Sequence, residues 1–363
     1  MWQDKHTQNQ KGDSPMTLRP FLLALAAAAL FGAATPLSKY LLTDLSPFQL
    51  SGLLYLGAAV GVLPIVLRRR LLQPPWRMEA HTRRLLLGAI VLGGMIGPVL
   101  LLFGLRLAAA ASVALWLNLE AVATALLGVW LFRDHLGRNG WIGAAGILAA
   151  ALILSWGQGA AGWQAGLLVA GACLCWGFDN HFTALIDGIS PEQSTLWKGL
   201  VAGTVNLAVG LVVEPVNAGM MTAGAALLVG VFAYGVSIVL YITAAQQLGA
   251  TRSQLVFSTA PYFAIALSVL WLGESISLVQ VASAILVGVS VVLLTVEWHS
   301  HDHTHAALEH EHWHDHADAH HTHGHAEGAA LAGGGAHAHR HQHVPLRHNH
   351  HHWPDLHHRH VHE

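Results

Sequence analysis

Charge is scarce in this chain. Asp, Glu, Lys and Arg make up 10% of 363 residues, while 53% are apolar, and the mean hydropathy is +0.47. A water-soluble globule carries about a quarter charged residues, so a soluble domain is hard to defend and a lipid bilayer is the better solvent. Cysteine is nearly absent too. Cys173 and Cys175 share one apolar stretch, which is no disulfide framework, and both read as small helix-packing residues. No basic stripe interleaves with aromatics, and the formal net charge is −2, so neither nucleic acid nor an acidic partner is suggested. Nor does a nucleotide-binding loop, a nucleophile elbow or a zinc-hydrolase motif interrupt the apolar runs, so the chain does not read as an enzyme and no catalytic residues are assigned.

What is present is a series of apolar stretches of roughly 17 to 25 residues, the length that crosses about 30 Å of hydrocarbon as a helix. Ten such helices are expected, at about 20–42, 48–67, 86–104, 107–131, 141–156, 165–186, 195–213, 221–246, 253–272 and 277–296. The third and fourth are joined by almost nothing. The first nineteen residues are polar, and the run from Pro20 outlasts a signal peptide, so it reads as a retained first helix. Met1 and Met16 both remain candidates for the natural start.

Basic residues of short loops face the cytoplasm. Arg68, Arg69, Arg70, Arg77, Arg83 and Arg84 follow the second helix, Arg133 and Arg138 the fourth, and Arg252 the eighth. The alternate loops offer little beyond Lys39 and Arg106, and Gly157 to Gly162 carry no charge. A multi-pass protein of a bacterial inner membrane with both termini cytoplasmic is expected.

An internal repeat supports the count. Phe31-Gly32 leading to Ser46-Pro47 is echoed by Trp176-Gly177 leading to Ser190-Pro191, an offset of about 145. The run from Arg106 to Arg133-Asp134 is echoed from Gln247 to Gly273-Glu274, an offset of about 140, with Ala121 facing Pro261. Five helices per copy is an odd number, so the second copy must have inverted topology, as is common among secondary transporters, with a path between the halves. The expected division is 1–19 as a cytoplasmic segment, 20–156 and 157–297 as two five-helix repeats, and 298–363 as a tail.

Three motifs carry a family resemblance: Ser112 to Glu120 (SVALWLNLE), Cys175 to Asn180 (CWGFDN), and Ser258 to Ala264 (STAPYFA) followed by Leu272-Gly273-Glu274. Each half resembles an EamA domain of the drug/metabolite transporter superfamily, over about residues 17 to 297. The resemblance implies ten helices, cytoplasmic termini, transport of small metabolites, often outward, and no ATP site.

An ionisable group at membrane depth costs at least ~2.5 kcal/mol and is normally retained for a pathway, a relay or a pairing role. Glu120 lies thirteen residues beyond Leu107, about 20 Å along a helix and near the midplane. Asp179 lies about 10 Å inside the sixth helix, and Lys198 one turn inside the seventh from the same face, so the two are placed to meet. Asn118 and Asn180, with His181 and Asn206, add donors and acceptors suited to a polar solute. The candidate solute or coupling site is therefore Glu120, Asn118, Asp179, Asn180 and Lys198. The alternative is static: an Asp179–Lys198 pair holding two helices, and Glu120 in a network with Asn118 and Trp116. Asp134 and Glu274 read as boundary residues. Gly93-Gly94, Gly97-Pro98 and Ala108 to Ala111 read as close-packing and kink positions.

After Trp298 the composition changes. Of 28 histidines, 24 lie between His299 and His362, with too few aliphatics to build a core, so a disordered tail is expected. His299, His301, His303 and His305 alternate with polar residues, as do His310, His312, His314 and His316; His320, His321, His323 and His325 follow. Beyond Gly333 to Gly335 come His348, His350, His351, His352, His357 and His358. Imidazoles beside carboxylates suit Zn, Ni, Co or Cu, with no spacing that fixes one tetrahedral site. The helices carry only His181, so metal in the tail does not imply metal transport. No cofactor is required for the expected activity. The expected partners are a small solute or ion and the bilayer, and a homodimer is allowed. Three functions stay open: a metabolite carrier, probed against a divalent-metal exporter and against a membrane metal sensor or store.

Overall fold

The computed structural model describes residues 18–69, 71–132, 136–186, 189–215, 218–248, 256–295, 300–305, 308–314, 337–343 and 346–351. Among these residues ten apolar helices follow one another: α1 (Leu18–Leu41), α2 (Pro47–Arg68), α3 (Ala80–Leu107), α4 (Ala110–Leu131), α5 (Arg138–Gly157), α6 (Gly159–Ala184), α7 (Pro191–Val213), α8 (Met220–Ala244), α9 (Ala260–Leu272) and α10 (Leu278–Thr295). The first eight are long and apolar enough to cross a membrane, and the last two are shorter apolar helices.

The two-residue link Ala108–Ala109 between α3 and α4 is as short as the sequence suggested. Several helices start earlier than hydropathy indicated. α3 begins at Ala80, about six residues before the apolar run, so the exposed His81 lies in its first turn and His181 is not the sole helical histidine. α6 begins at Gly159, where a left-handed φ of 67° turns the chain straight out of α5. Helical turns of polar or small residues add little to a hydropathy sum, which is why both starts were hidden.

The repeat is written into the backbone. Ser46 caps α2, accepting from Gln49 N at 3.2 Å, and Ser190 caps α7, accepting from Gln193 N at 3.3 Å, each followed by proline. The two glutamines then cross between halves: Gln49 donates to Gly210 O and Glu214 O at the end of α7, and Gln193 donates to Gln73 O just past α2. Widened π-type turns occupy Ala89–Ile96 in α3 and Gly230–Val236 in α8. Packing follows the same pseudo-symmetry, with α2 on α7, α5 on α10, α1 against α8 and α9, and α6 against α3 and α4. Gly52, Gly199, Gly203 and Gly210 leave no room for a side chain between α2 and α7, and small residues of this kind let membrane helices approach closely.

In the tail, β1 (Ser300–His305) pairs antiparallel with β4 (Leu346–His351), and β2 (Leu308–His314) with β3 (His337–His343). An isolated two-stranded ladder is only marginally stable in water, and the tail's composition still supplies no core.

Candidate functional site

The site is built around a break in α4. Helix runs from Ala110 to Trp116, turns at Leu117-Asn118, and resumes at Leu119. Asn118 stays local, its Nδ2 donating to Leu115 O at 3.1 Å, and does not reach Glu120. Its contribution is the break itself, which leaves Glu120 in the first turn of a new helix. The matching break precedes α9 at Ser258-Thr259. With the caps Asn118 and Thr259 superposed, the residue standing where Pro261 stands is Glu120, one position earlier than the Ala121 expected from the sequence offset.

From α6, Asn180 Nδ2 donates to Glu120 Oε1 at 3.0 Å and to Thr124 Oγ1 at 3.1 Å. The neighbouring His181 ring nitrogen Nε2 lies 3.0 Å from Thr124 O. On the next face of α6, Asp179 takes both carboxylate oxygens to Lys198 Nζ of α7, at 2.6 and 2.7 Å, and accepts from Thr183 Oγ1 at 3.1 Å. Four of the five candidate residues are thus brought together on α4, α6 and α7. The network imagined among Glu120, Asn118 and Trp116 is not formed; Trp116 Nε1 donates instead to Ala151 O at 3.2 Å.

The π-type turn of α3 supports this cluster. A widened turn releases carbonyls from the helical ladder, and Gly93 O accepts from both Tyr55 Oη at 2.7 Å and Trp176 Nε1 at 3.0 Å. Asn206 Nδ2 donates to Ser51 Oγ at 2.8 Å and approaches Gly94 O and Met95 O. A Cβ on Gly93 would run into the Asp179 carboxylate, and one on Gly94 into Ala202 and Lys198. Aromatic rings from α1, α2, α8 and the turn before α9 pack on one another in one arc that runs from Tyr55 through Tyr234, Phe31 and Phe257 to Tyr241.

A second polar group lies at the end of the bundle away from the Arg-rich links. Lys39 Nζ donates to Leu105 O at 2.7 Å and Ala108 O at 3.0 Å. Glu274, read from sequence as a boundary residue, accepts from Ala110 N at 2.8 Å and Ala111 N at 3.1 Å, capping α4 from the other half. Ser112 Oγ accepts from Gln158 and Gln280. No local signal around Glu274 marks this role, because the helix it caps is remote in sequence. Asp134 lies outside the described residues, as do Arg70, Arg133 and Arg252.

Of the tail histidines, His301, His303, His305, His310, His312, His314, His348, His350 and His351 lie on strands, and the other candidates lie outside the described residues. The register sets His301 opposite His350, His303 opposite His348, His310 opposite His341, His312 opposite His339, and His314 opposite His337. The histidines of β3, which the sequence reading does not single out, alternate with the same period of two.

Among the described residues, ten apolar helices in two inverted repeats, with broken and widened helices around a buried charge pair, make a multi-pass membrane protein. The chain belongs to the EamA-like transporter family, whose model matches residues 18–156 and again 163–296. It is 26% identical over 295 residues to an uncharacterized transporter of Methanothermobacter thermautotrophicus, covering 76% of this chain and 85% of the relative. A protein solved by crystallography shares the fold at a TM-score of 0.56 with 17% identity, over 76% of this chain and 96% of the other.

Proposed function

We propose that this protein carries a small metabolite out of the cytoplasm by alternating access between its two repeats, and that its tail binds transition-metal ions at the cytoplasmic face. The observation that carries the first part is the Glu120–Asn180 contact beside the Asp179–Lys198 pair. It joins three helices at membrane depth, next to a broken helix. Ionisable groups at that depth mark solute or ion pathways. The excess of Arg at one end orients that end, and both termini, toward the cytoplasm; the Lys39–Glu274 group then seals the outer end.

The divalent-metal exporter is the second reading, and the tail favours it as a delivery device. Against it, both oxygens of Asp179 are engaged by an ammonium, which leaves Glu120 as a single hard ligand where transition metals prefer several nitrogen or sulfur donors. For the tail itself, registered cross-strand histidines bring imidazole-bearing residues to adjacent positions.

The deciding experiment is uptake and efflux of radioactive zinc, nickel and cobalt in proteoliposomes, comparing the intact chain, a chain ending at Trp298, and Glu120→Gln combined with Asp179→Asn. The metabolite carrier expects metal bound by the intact chain without saturable metal flux. Saturable flux abolished by the paired carboxylate substitutions would replace it with the exporter.

A further inference from the structure

We infer that the segment joining α2 to α3 is a docking surface for anionic phospholipid of the cytoplasmic leaflet, its arginines holding headgroup phosphates and Trp76 lying among the headgroups. The inference goes beyond the transport reading and takes from it only the name of the leaflet.

The cations at the two ends of the bundle are used differently. At the outer end Lys39 is spent on the carbonyls of Leu105 and Ala108, and Arg106 lies 3.4 Å from Leu45 O and 3.9 Å from Glu214 Oε2. At the other end Arg68, Arg69, Arg77, Arg83 and Arg84 stand close together in the chain, and every one is exposed. Arg69 pairs with Glu192 at 3.1 Å, while Arg68, Arg77, Arg83 and Arg84 form no ion pair among the described residues. A guanidinium without a carboxylate is free to take a phosphate, which it binds through two parallel hydrogen bonds. Basic clusters next to membrane helices draw anionic lipid in this way.

The apolar groups beside these arginines distinguish a lipid from a soluble anion. Trp76, on the single helical turn Pro75–Arg77, is 75% exposed, and Leu72 is 53% exposed. In α3 the exposed Leu87 follows Arg83 by four residues and Arg84 by three, so it shares their side of the helix. In α2 the exposed Leu67 adjoins Arg68. A soluble phosphate would cover the arginines and leave these side chains in water. A phospholipid covers both, with its headgroup on the arginines, its acyl chain against the leucines and the indole at the boundary.

The segment is also braced. Met78 and Thr82 are buried, and Gln73 O accepts from Gln193 Nε2 at 2.7 Å and Trp197 Nε1 at 3.0 Å, both from α7. The arginines are therefore carried on a backbone fastened to the other repeat, which lowers the ordering cost of binding.

The test measures how long spin-labelled phosphatidylglycerol and phosphatidylcholine reside on the full-length protein in nanodiscs. Both leaflets have the same composition, so the result does not depend on which end faces the cytoplasm. Phosphatidylglycerol is expected to be preferred about tenfold or more at low salt, and the preference should shrink at high salt. Glutamine at Arg77, Arg83 and Arg84 together should remove most of it, and lysine at the same three positions should keep it. Arg19→Gln with Arg138→Gln, which removes exposed arginines elsewhere on the same end, should leave the preference within about twofold. The melting temperature of each variant separates lost binding from lost fold, and the intact protein needs no variant to fail. Equal residence of the two lipids on it overturns the inference. So does a preference that survives the three glutamines, or one lost equally without Arg19 and Arg138. Displacement of the lipid by glycerol phosphate at equal concentration would show a site for soluble phosphate and overturn the lipid as occupant.

Discussion

Lys198 Nζ lies 2.6 Å from Asp179 Oδ1, joining α6 to α7 with side chains only 16% and 12% exposed. Removing one partner leaves the other charge buried and alone, which costs about 3–5 kcal/mol in comparable sites. Asp179→Ala should therefore lower the melting temperature sharply. Asp179→Asn with Lys198→Met removes both charges and should recover most of that loss. Transport in the recovered variant separates the two roles set out from the sequence: flux near the parent level assigns the pair to holding helices, and lost flux in a stable protein assigns it to solute or ion movement.

The meeting of Asp179 with Lys198 was legible in the sequence, because depth from the same membrane face can be counted along each helix at 1.5 Å per residue. Helix number and the repeat were legible for a similar reason, since apolar run length and the Ser-Pro caps at Ser46 and Ser190 are local signals. Asn118 shows the limit. Its type suggested a solute ligand, yet its amide satisfies a carbonyl one turn away and its effect is to break the helix before Glu120. The ring arc and the Glu274 cap are assembled from helices far apart in the chain, and no pattern within one helix records them.

Gly93 tests whether close approach to Asp179 matters. An alanine Cβ there would overlap the Asp179 carboxylate, with no flexible hydrocarbon to yield. Overpacking of this kind costs about 1–3 kcal/mol. Gly93→Ala is expected to lower the melting temperature, and its effect should shrink when Asp179 is already alanine. Equal losses in both backgrounds would show that the added methyl strains α3 and leaves the charge pair alone.

Glu274 holds the start of α4 through Ala110 N and Ala111 N. A charged cap on free helix N–H groups contributes about 1 kcal/mol, enough to shift a carrier between states that differ by a similar amount. Glu274→Ala should loosen this end of the bundle. With Cys173 and Cys175 replaced by alanine and a single cysteine placed at Ser112, the substitution is expected to raise the labelling rate by a membrane-impermeant maleimide about fivefold. An unchanged rate means that the Lys39 contacts hold this end without Glu274.

The tail prediction turns on whether position or composition makes the metal sites. If registered histidines bind as cross-strand partners, each ion draws ligands from both strands of a ladder. Replacing His337, His339 and His341 by alanine then strips the partners from His314, His312 and His310 as well. Zinc affinity of this ladder, read by calorimetry, should fall about tenfold or more for the loss of one imidazole in a chelating pair. A tail of identical composition in shuffled order keeps every histidine and loses the register. It should match the triple alanine variant if pairing governs affinity, and the parent if zinc merely samples a dense supply of imidazole. Solute flux by the transmembrane repeats is expected to persist in both tail variants, because the contacts of Glu120 and Asp179 among the described residues come from α4, α6 and α7.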